Sequence, residues 1–389
     1  MRRGVCNAGG MATLSILHLH DNFDPSAKTA RVQRLMSAWG ERARHVTVSA
    51  DAAALGAAAS TPRGVAHEIA QAPPPLAGRP SVARYEAIAR LMRRFDLVLT
   101  YGWGAIDGVM ARRAFAKGLP PLVHHEEGFG ADEASGLKLE RNLFRRAALG
   151  AASALVVPSA TMERIALGPW KQPPARVHRI VHGVPIAAYA ARPDPEALPG
   201  LTRGDGEVLI AVPGPLTAQR NPTALIRAAG GLSGRFRIVF LGDGPERANV
   251  EGAAAVMGIG GQVTIVPGGV ERPYQVLGLF DLVASPSLVE QFPTGIVQAM
   301  AAGLPVAAMP VGDIPTMVAA ENAPFIAEWP TEVRLRDAIQ ALMGDAGLRR
   351  QVGAANRARA AAEYDEAVMI ARYRELYERA LGRPGALGG

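Results

Sequence analysis

Short apolar runs recur along this chain with room for one helix between most neighbouring pairs, and that rhythm restricts the fold more than any single residue does. The runs read as strands are LSILHLH (14–20), HVTVSA (45–50), DLVLTY (96–101), PLVHH (121–125), SALVVPS (153–159) and VHRIVHG (177–183). VLIAVPG (208–214), FRIVFLG (236–242), QVTIVPG (262–268), LVASPS (282–287) and PVAAMP (305–310) follow. Repeated strand–helix units predict parallel sheets with helices on both faces. Ligands of such sheets bind beyond the carboxyl ends of the strands, so functional residues are sought in the loops that follow strands.

With 389 residues the chain exceeds one ordinary core, and two domains are expected. A break at about 184–206 carries four prolines and three glycines, the composition of a linker. The chain therefore divides into a first α/β domain (12–184), a linker (185–206), a second α/β domain (207–365) and a closing helix (366–382). The single cysteine, Cys6, excludes an internal disulfide and a cysteine metal cluster. No window approaches the ~18 consecutive apolar residues of a membrane span. The start, with Met11 as an alternative first residue, lacks the apolar core of a signal peptide, which predicts a cytoplasmic protein. A net charge of +7 favours phosphate-rich partners, or is simply a basic solvated surface. No helix-turn-helix, zinc-finger or aromatic stacking motif accompanies it, which argues against nucleic acid.

Three loops of the second half, and one of the first, hold candidate chemistry. After VLIAVPG, Arg220 sits near a helix start, where free amides and the helix dipole attract anions. A guanidinium there suits a diphosphate, or is a surface arginine without a partner. In FRIVFLGDGPER, Asp243 reads as turn chemistry. After LVASPS, Glu290 lies on a loop, Pro293 suits a first helical turn, and Thr294 and Gly295 offer backbone donors. Gln298 lies one turn beyond Thr294 on the same face. A polar ligand with hydroxyls at its ends and phosphates between them fits this set; an ordinary capped helix fits it equally. In PLVHHEEGFG, His124 and His125 point to opposite faces of a strand, so one of them faces a ligand. That imidazole can hydrogen-bond a sugar hydroxyl or a phosphate. Zinc is the rival, but the run lacks the two-histidine helical spacing, and no Asp-x-Asp pair holds a divalent ion on a diphosphate.

SLVEQFPTGIVQAMAAGLPVAAMPVGDIPTMV resembles the signature region of the family-4 retaining glycosyltransferases, in which two acids flank seven residues ahead of Ala-Met-Ala-x-Gly-x-Pro-Val. VPGPLTAQRNPTALIRA is similar to that family's Gly-Arg-Leu-x-x-x-Lys loop, and LHLHDNFDPSAKTARVQRLMSAWG to its opening strand–loop–helix. The resemblance spans nearly the whole chain and is most specific over 281–318. It implies the GT-B fold: two Rossmann-like, doubly wound domains facing across a cleft, with the closing helix crossing back to the first.

Carried over residue by residue, the resemblance makes Glu290 the acid that contacts the transferred sugar and Gln298 the group on the ribose hydroxyls. Arg220 takes the place of the lysine on the diphosphate. Gly214, Phe292, Pro293, Thr294 and Gly295 form the loops around sugar and phosphate. His125, or else His124, is the first-domain histidine near the donor sugar. Ser26 and Ala27 stand where a Gly-Gly pair lets the backbone approach phosphate. Several positions depart from the pattern: Ser26-Ala27 replaces Gly-Gly, Pro215 an arginine, Arg220 the lysine, Gln298 the second acid, and His182 an asparagine. Pro215 is the largest loss, worth ~1.5–3 kcal/mol of phosphate binding. Lys28 and Arg31 are candidates to replace that charge.

The resemblance implies retaining transfer from a nucleotide-diphosphate sugar without metal or other cofactor. Glu290 and His125 fix the sugar, and the departing diphosphate accepts the acceptor's proton. The acceptor, a glycan or a lipid-linked glycan, is expected on the first domain. KLERNLFRRAALG (138–150) carries Leu139, Leu143 and Ala147 on one side with Lys138, Arg141, Arg145 and Arg146 close by. Such a segment either touches an anionic membrane or packs on its sheet as a solvated helix. The alternatives to a transferase are a binding or scaffold subunit with a decayed donor site and a nucleotide-sugar epimerase.

Overall fold

The computed structural model describes residues 13–129, 133 and 136–388; Cys6 and Met11 lie outside them. The chain forms two units, residues 1–181 with 369–389, and residues 182–368. In the first, seven strands are β1 (Leu14–His20), β2 (Ala43–Ser49), β3 (Ala66–Ile69), β4 (Leu97–Tyr101), β5 (Leu122–His125), β6 (Ala154–Val157) and β7 (Val177–Arg179). They lie in the order β3-β2-β1-β4-β5-β6-β7, every pairing parallel. The chain starts at β1, works outward to β3, then returns to β4 and runs the other way. Central strands such as β4 are buried at every residue, the continuous apolar reading expected of a parallel sheet covered on both faces.

The second unit repeats the scheme with β8 (Val208–Pro213), β9 (Phe236–Leu241), β10 (Val263–Ile265), β11 (Leu282–Ser285) and β12 (Val306–Ala308), ordered β10-β9-β8-β11-β12 and all parallel. Its direction reverses between β8 and β11. Every strand run read in the sequence holds a strand, most of them trimmed at the ends. VHRIVHG keeps only its first three residues as strand. The strand not anticipated is β3, AHEI, an edge strand with alternating exposure whose charged residue hides the apolar signal.

The stretch 185–206 groups with the second unit. Tyr189 and Leu198 are buried, and Arg357 Nη2 donates to the Tyr189 carbonyl at 3.1 Å. The closing helix, Glu366–Leu381, buries Met369, Tyr373, Leu376 and Tyr377 in the first unit's core beside Ile16, Trp39 and Leu99. This is the return to the first domain that the sequence implied.

Candidate functional site

The second unit brings Arg220 and Glu290 together. Arg220 ends a short helical turn, Ala218–Arg220, in the loop after β8. Asn221, in the left-handed region at φ 48°, then turns the chain into the helix Pro222–Ala229. Glu290 stands on the loop after β11. The two loops flank the reversal point of the sheet, where adjacent connections leave in opposite directions and open a concavity. Arg220 Nη1 lies 3.1 Å from Glu290 Oε1, with the carboxylate side chain 9% and the guanidinium 34% exposed. Ser287 donates its hydroxyl to the same Oε1 at 3.0 Å. A small, shallow concavity is lined here by Gly214, Pro215, Arg220, Ser285, Pro286 and Ser287 among others.

Glycines set this geometry where no side chain fits. Gly214 has φ 108°, and a Cβ on it would stand 2.9 Å from Arg220 Cζ, so the guanidinium rests against bare backbone. Gly312, at φ 57°, meets the Glu290 carbonyl so closely that a Cβ would be 2.1 Å from it. The loop bearing Glu290 is therefore supported from the loop after β12, a contact no motif announced.

Thr294–Ala301 is the helix that follows Glu290. Pro293 takes the cap position outside it rather than the first turn, and no side chain caps the helix. The leading amides, those of Thr294 and Gly295, fall among the groups that lack an acceptor within a helix. Gly295 packs against Pro213, where a Cβ would be 2.9 Å from Cγ. Gln298 is half-buried, and its side chain makes no hydrogen bond among the described residues. Phe292 is 8% exposed and packs edge-on against His182 and Tyr364, at 5.1 and 5.9 Å between ring centres. Asp243 is turn chemistry: it accepts from the Gly244 amide at 2.8 Å and from Arg247 at 2.6 Å.

First-unit candidates are engaged internally. His125 is 1% exposed; its Nδ1 faces the Thr100 carbonyl at 3.1 Å and its Nε2 the Tyr377 hydroxyl at 2.8 Å. A carbonyl only accepts, so Nδ1 carries the proton and Nε2 accepts from Tyr377. Nearby, the Tyr101 hydroxyl meets His18 Nδ1 at 3.2 Å, and His18 Nε2 meets His45 Nδ1 at 2.9 Å. Burial holds His125 and His45 down to about 3, and His18 well below the ordinary value. His124 is fully buried on the opposite face, with Nδ1 2.8 Å from the Thr100 hydroxyl. His124 keeps Nε2 without a hydrogen bond, but that atom is buried; both nitrogens of His125 are bonded, so the reading of His125 as a sugar contact meets a ring already committed to the core.

Ser26 is exposed and caps the helix Ala27–Trp39: its hydroxyl accepts from the Thr29 amide, and its own amide donates to the Thr29 hydroxyl at 2.9 Å. The side chain thus occupies part of the amide end that a Gly-Gly pair would leave open. Ala27 begins the helix and is exposed. Lys28 pairs with Asp21, and Arg31, 2% exposed, pairs with Glu127. Both proposed substitutes for the charge missing at Pro215 already have carboxylate partners. Arg145 is likewise no surface cation. It is fully buried, forked onto Glu133 through two contacts of 2.9 Å, and surrounded by Trp103, Phe129 and Trp170 at 4.8–5.2 Å.

A family profile described as "Glycosyl transferases group 1" matches residues 195–359, and one described as "Glycosyl transferase 4-like domain" matches residues 29–183. D-inositol 3-phosphate glycosyltransferase of Nocardia farcinica is 27% identical over 70% of this chain and 64% of its own length. The putative glycosyltransferase EpsF of Bacillus subtilis is 28% identical over 51% of this chain and 53% of its own. The chain thus spans between half and two thirds of these relatives. Anabaena HepE, solved in complex with UDP and glucose, superposes with a TM-score of 0.78 at 17% identity, covering 94% of this chain and 100% of that one. The two matched stretches, together with the pair of parallel, doubly wound sheets, make this chain a group 1, family-4 glycosyltransferase with the GT-B fold.

Proposed function

We propose that the chain moves a hexose from a nucleotide-diphosphate sugar to a glycan or lipid-linked acceptor, retaining the anomeric configuration and using no metal or other cofactor. The observation that carries this reading is the Arg220–Glu290 pair at the reversal point of the second sheet. A cation and an acid held side by side suit a ligand with a diphosphate next to hydroxyls. Arg220 and the Thr294 and Gly295 amides meet the negative charge that grows on the leaving diphosphate. Glu290 accepts from a sugar hydroxyl and orients the ring. Gln298, one turn deeper, takes a ribose hydroxyl as acceptor, donor or both. The bond from the anomeric carbon to the diphosphate breaks, the bond to the acceptor oxygen forms on the same face, and the acceptor's proton passes to a diphosphate oxygen.

A panel of UDP-, GDP-, ADP- and dTDP-sugars tests the reading, first by thermal stabilisation and then by release of free nucleotide. Stabilisation by one donor, with nucleotide release that disappears in Glu290→Ala, is expected. A scaffold role predicts that no donor binds, and an epimerase predicts interconversion of two sugars without acceptor. The scaffold reading draws its support from Pro215, exposed where the family carries an arginine, and from an Arg220 already paired within the site.

The reading extends to polysaccharide or cell-envelope synthesis at the cytoplasmic face of a membrane. Among the described residues no helix is long and apolar enough to cross one. The helix Leu139–Leu149 exposes Leu139 at 72% and Leu143 at 55%, next to exposed Lys138 and Arg146. Sedimentation with anionic and with neutral vesicles checks the contact, which equal binding to both would exclude.

A further inference from the structure

The two oxygens of Glu290 are not equivalent. Oε1 receives the Ser287 hydroxyl at 3.0 Å and faces Arg220 Nη1 at 3.1 Å. Oε2 accepts no hydrogen bond among the described residues. Ser287 is 1% exposed, so its hydroxyl has no water to turn to and must find its partner inside the protein. Ser285, 7% exposed at the end of β11, donates its own hydroxyl to Ser287 Oγ at 3.4 Å, which leaves the Ser287 proton directed at the carboxylate. The backbone is fixed from the other side, where Gly312 lies against the Glu290 carbonyl. A carboxylate on a loop ordinarily rotates about its last torsion between equivalent arrangements. Here one oxygen is tied down by a buried neutral donor and a cation, and the other is left as an acceptor.

We propose that Ser287 is a positioning residue of this glycosyltransferase: with Arg220 it anchors Oε1 of Glu290 so that Oε2 is the oxygen presented to the transferred sugar. The inference rests on the donor-site reading above. It adds a division of labour. Arg220 is drawn toward the diphosphate once a donor binds, whereas Ser287 has no competing ligand and keeps Glu290 in place throughout. A buried serine two residues after a strand carries no such signal in the sequence, because a hydroxyl of this kind equally caps a turn.

The test uses the full chain and whichever of UDP-, GDP-, ADP- or dTDP-glucose the wild type hydrolyses fastest. Nucleotide release gives kcat and KM; calorimetry gives the Kd of the matching nucleoside diphosphate, which lacks the sugar. Ser287→Ala is expected to lower kcat about ten- to a hundredfold, the effect of losing a hydrogen bond to a charged group. The nucleoside diphosphate Kd should stay within about twofold, because the diphosphate contacts are untouched. Ser287→Thr, which keeps the hydroxyl, should recover most of the loss. If the alanine variant does not fold, Ser287→Cys, close in size and a weaker donor, gives the same reading. An unchanged kcat in Ser287→Ala, or a Kd that worsens in step with kcat, overturns the proposal. Glu290→Ala run in parallel separates the two levels. Full activity in that variant, or no hydrolysis of any of the four donors by the wild type, sinks the donor-site reading itself rather than the role of Ser287.

Discussion

The two sheets share one topology but use polar residues in opposite ways. At the carboxyl end of the first, His20, Tyr101 and His125 stand opposite one another on adjacent strands and stack with ring centres 4.2 and 4.5 Å apart. His18, His45 and Arg31 lie buried beside them, and Tyr373 and Tyr377 of the closing helix pack against His125. At the corresponding end of the second sheet the strands stay apolar almost to their last residue, and the charged pair sits just beyond, in the loops. The lesson is that polar residues at a strand's carboxyl end are not by themselves a site. Those of the first unit are packed into the core, where His18, Tyr101 and His125 bond to neighbours while both nitrogens of His20 stay buried without a hydrogen-bond partner among the described residues; Arg220 by contrast keeps a third of its side chain in solvent, and Glu290 keeps an oxygen unbonded.

The contrast can be broken from either side. The largest effect is expected at Arg145. Its removal as Arg145→Leu leaves Glu126 buried without its guanidinium and Glu133 with that of Arg141 alone, which costs about 3–5 kcal/mol of stability by chemical denaturation. Next comes Glu290→Ala, which should cut turnover about 10²- to 10³-fold while leaving the circular dichroism spectrum intact. A comparable loss of turnover in Arg145 variants that remain folded would erase the distinction between a structural and a functional polar group.

Arg220→Ala follows, with nucleoside diphosphate affinity expected to fall about ten- to a hundredfold by calorimetry. The smallest effect per group concerns acid. His18, His20, His45 and His125 are held neutral by burial, with folded values well below the ordinary 6.5. Unfolded histidines take up protons near that value and the folded ones do not. The layer's contribution is therefore complete above pH ~6.5 and is lost as pH falls toward about 3. The slope is at most about 1.4 kcal/mol per pH unit for each ring. Denaturation curves between pH 7 and 4 check this, and a flat profile would show that the rings are reachable by water.

Much of this was legible in advance, for physical reasons. A strand in a parallel sheet is apolar on both faces, so the central strands announce themselves; the edge strand AHEI, half exposed, does not. The charged pair was readable as two residues because each follows a strand, but their contact depends on strand order, which periodicity leaves open. The fate of His125 was hidden for a related reason. Its partner Tyr377 lies 252 residues away, on a helix that returns to the first core. By resemblance Ser26 stands where a Gly-Gly pair lets the backbone approach phosphate; its capping box with Thr29 is a local pattern that the sequence does contain. The support of Glu290 by Ser287 and Gly312 carried no signal beyond ordinary turn residues.

The most direct test is a crystal structure of the full chain with the nucleotide sugar that stabilises it most. The account predicts the diphosphate against the Arg220 guanidinium and the amides of Thr294 and Gly295, and a sugar hydroxyl on Glu290 Oε2 with Oε1 still bonded to Ser287. A nucleotide lodged elsewhere, with the Arg220–Glu290 pair closed and untouched, would contradict it.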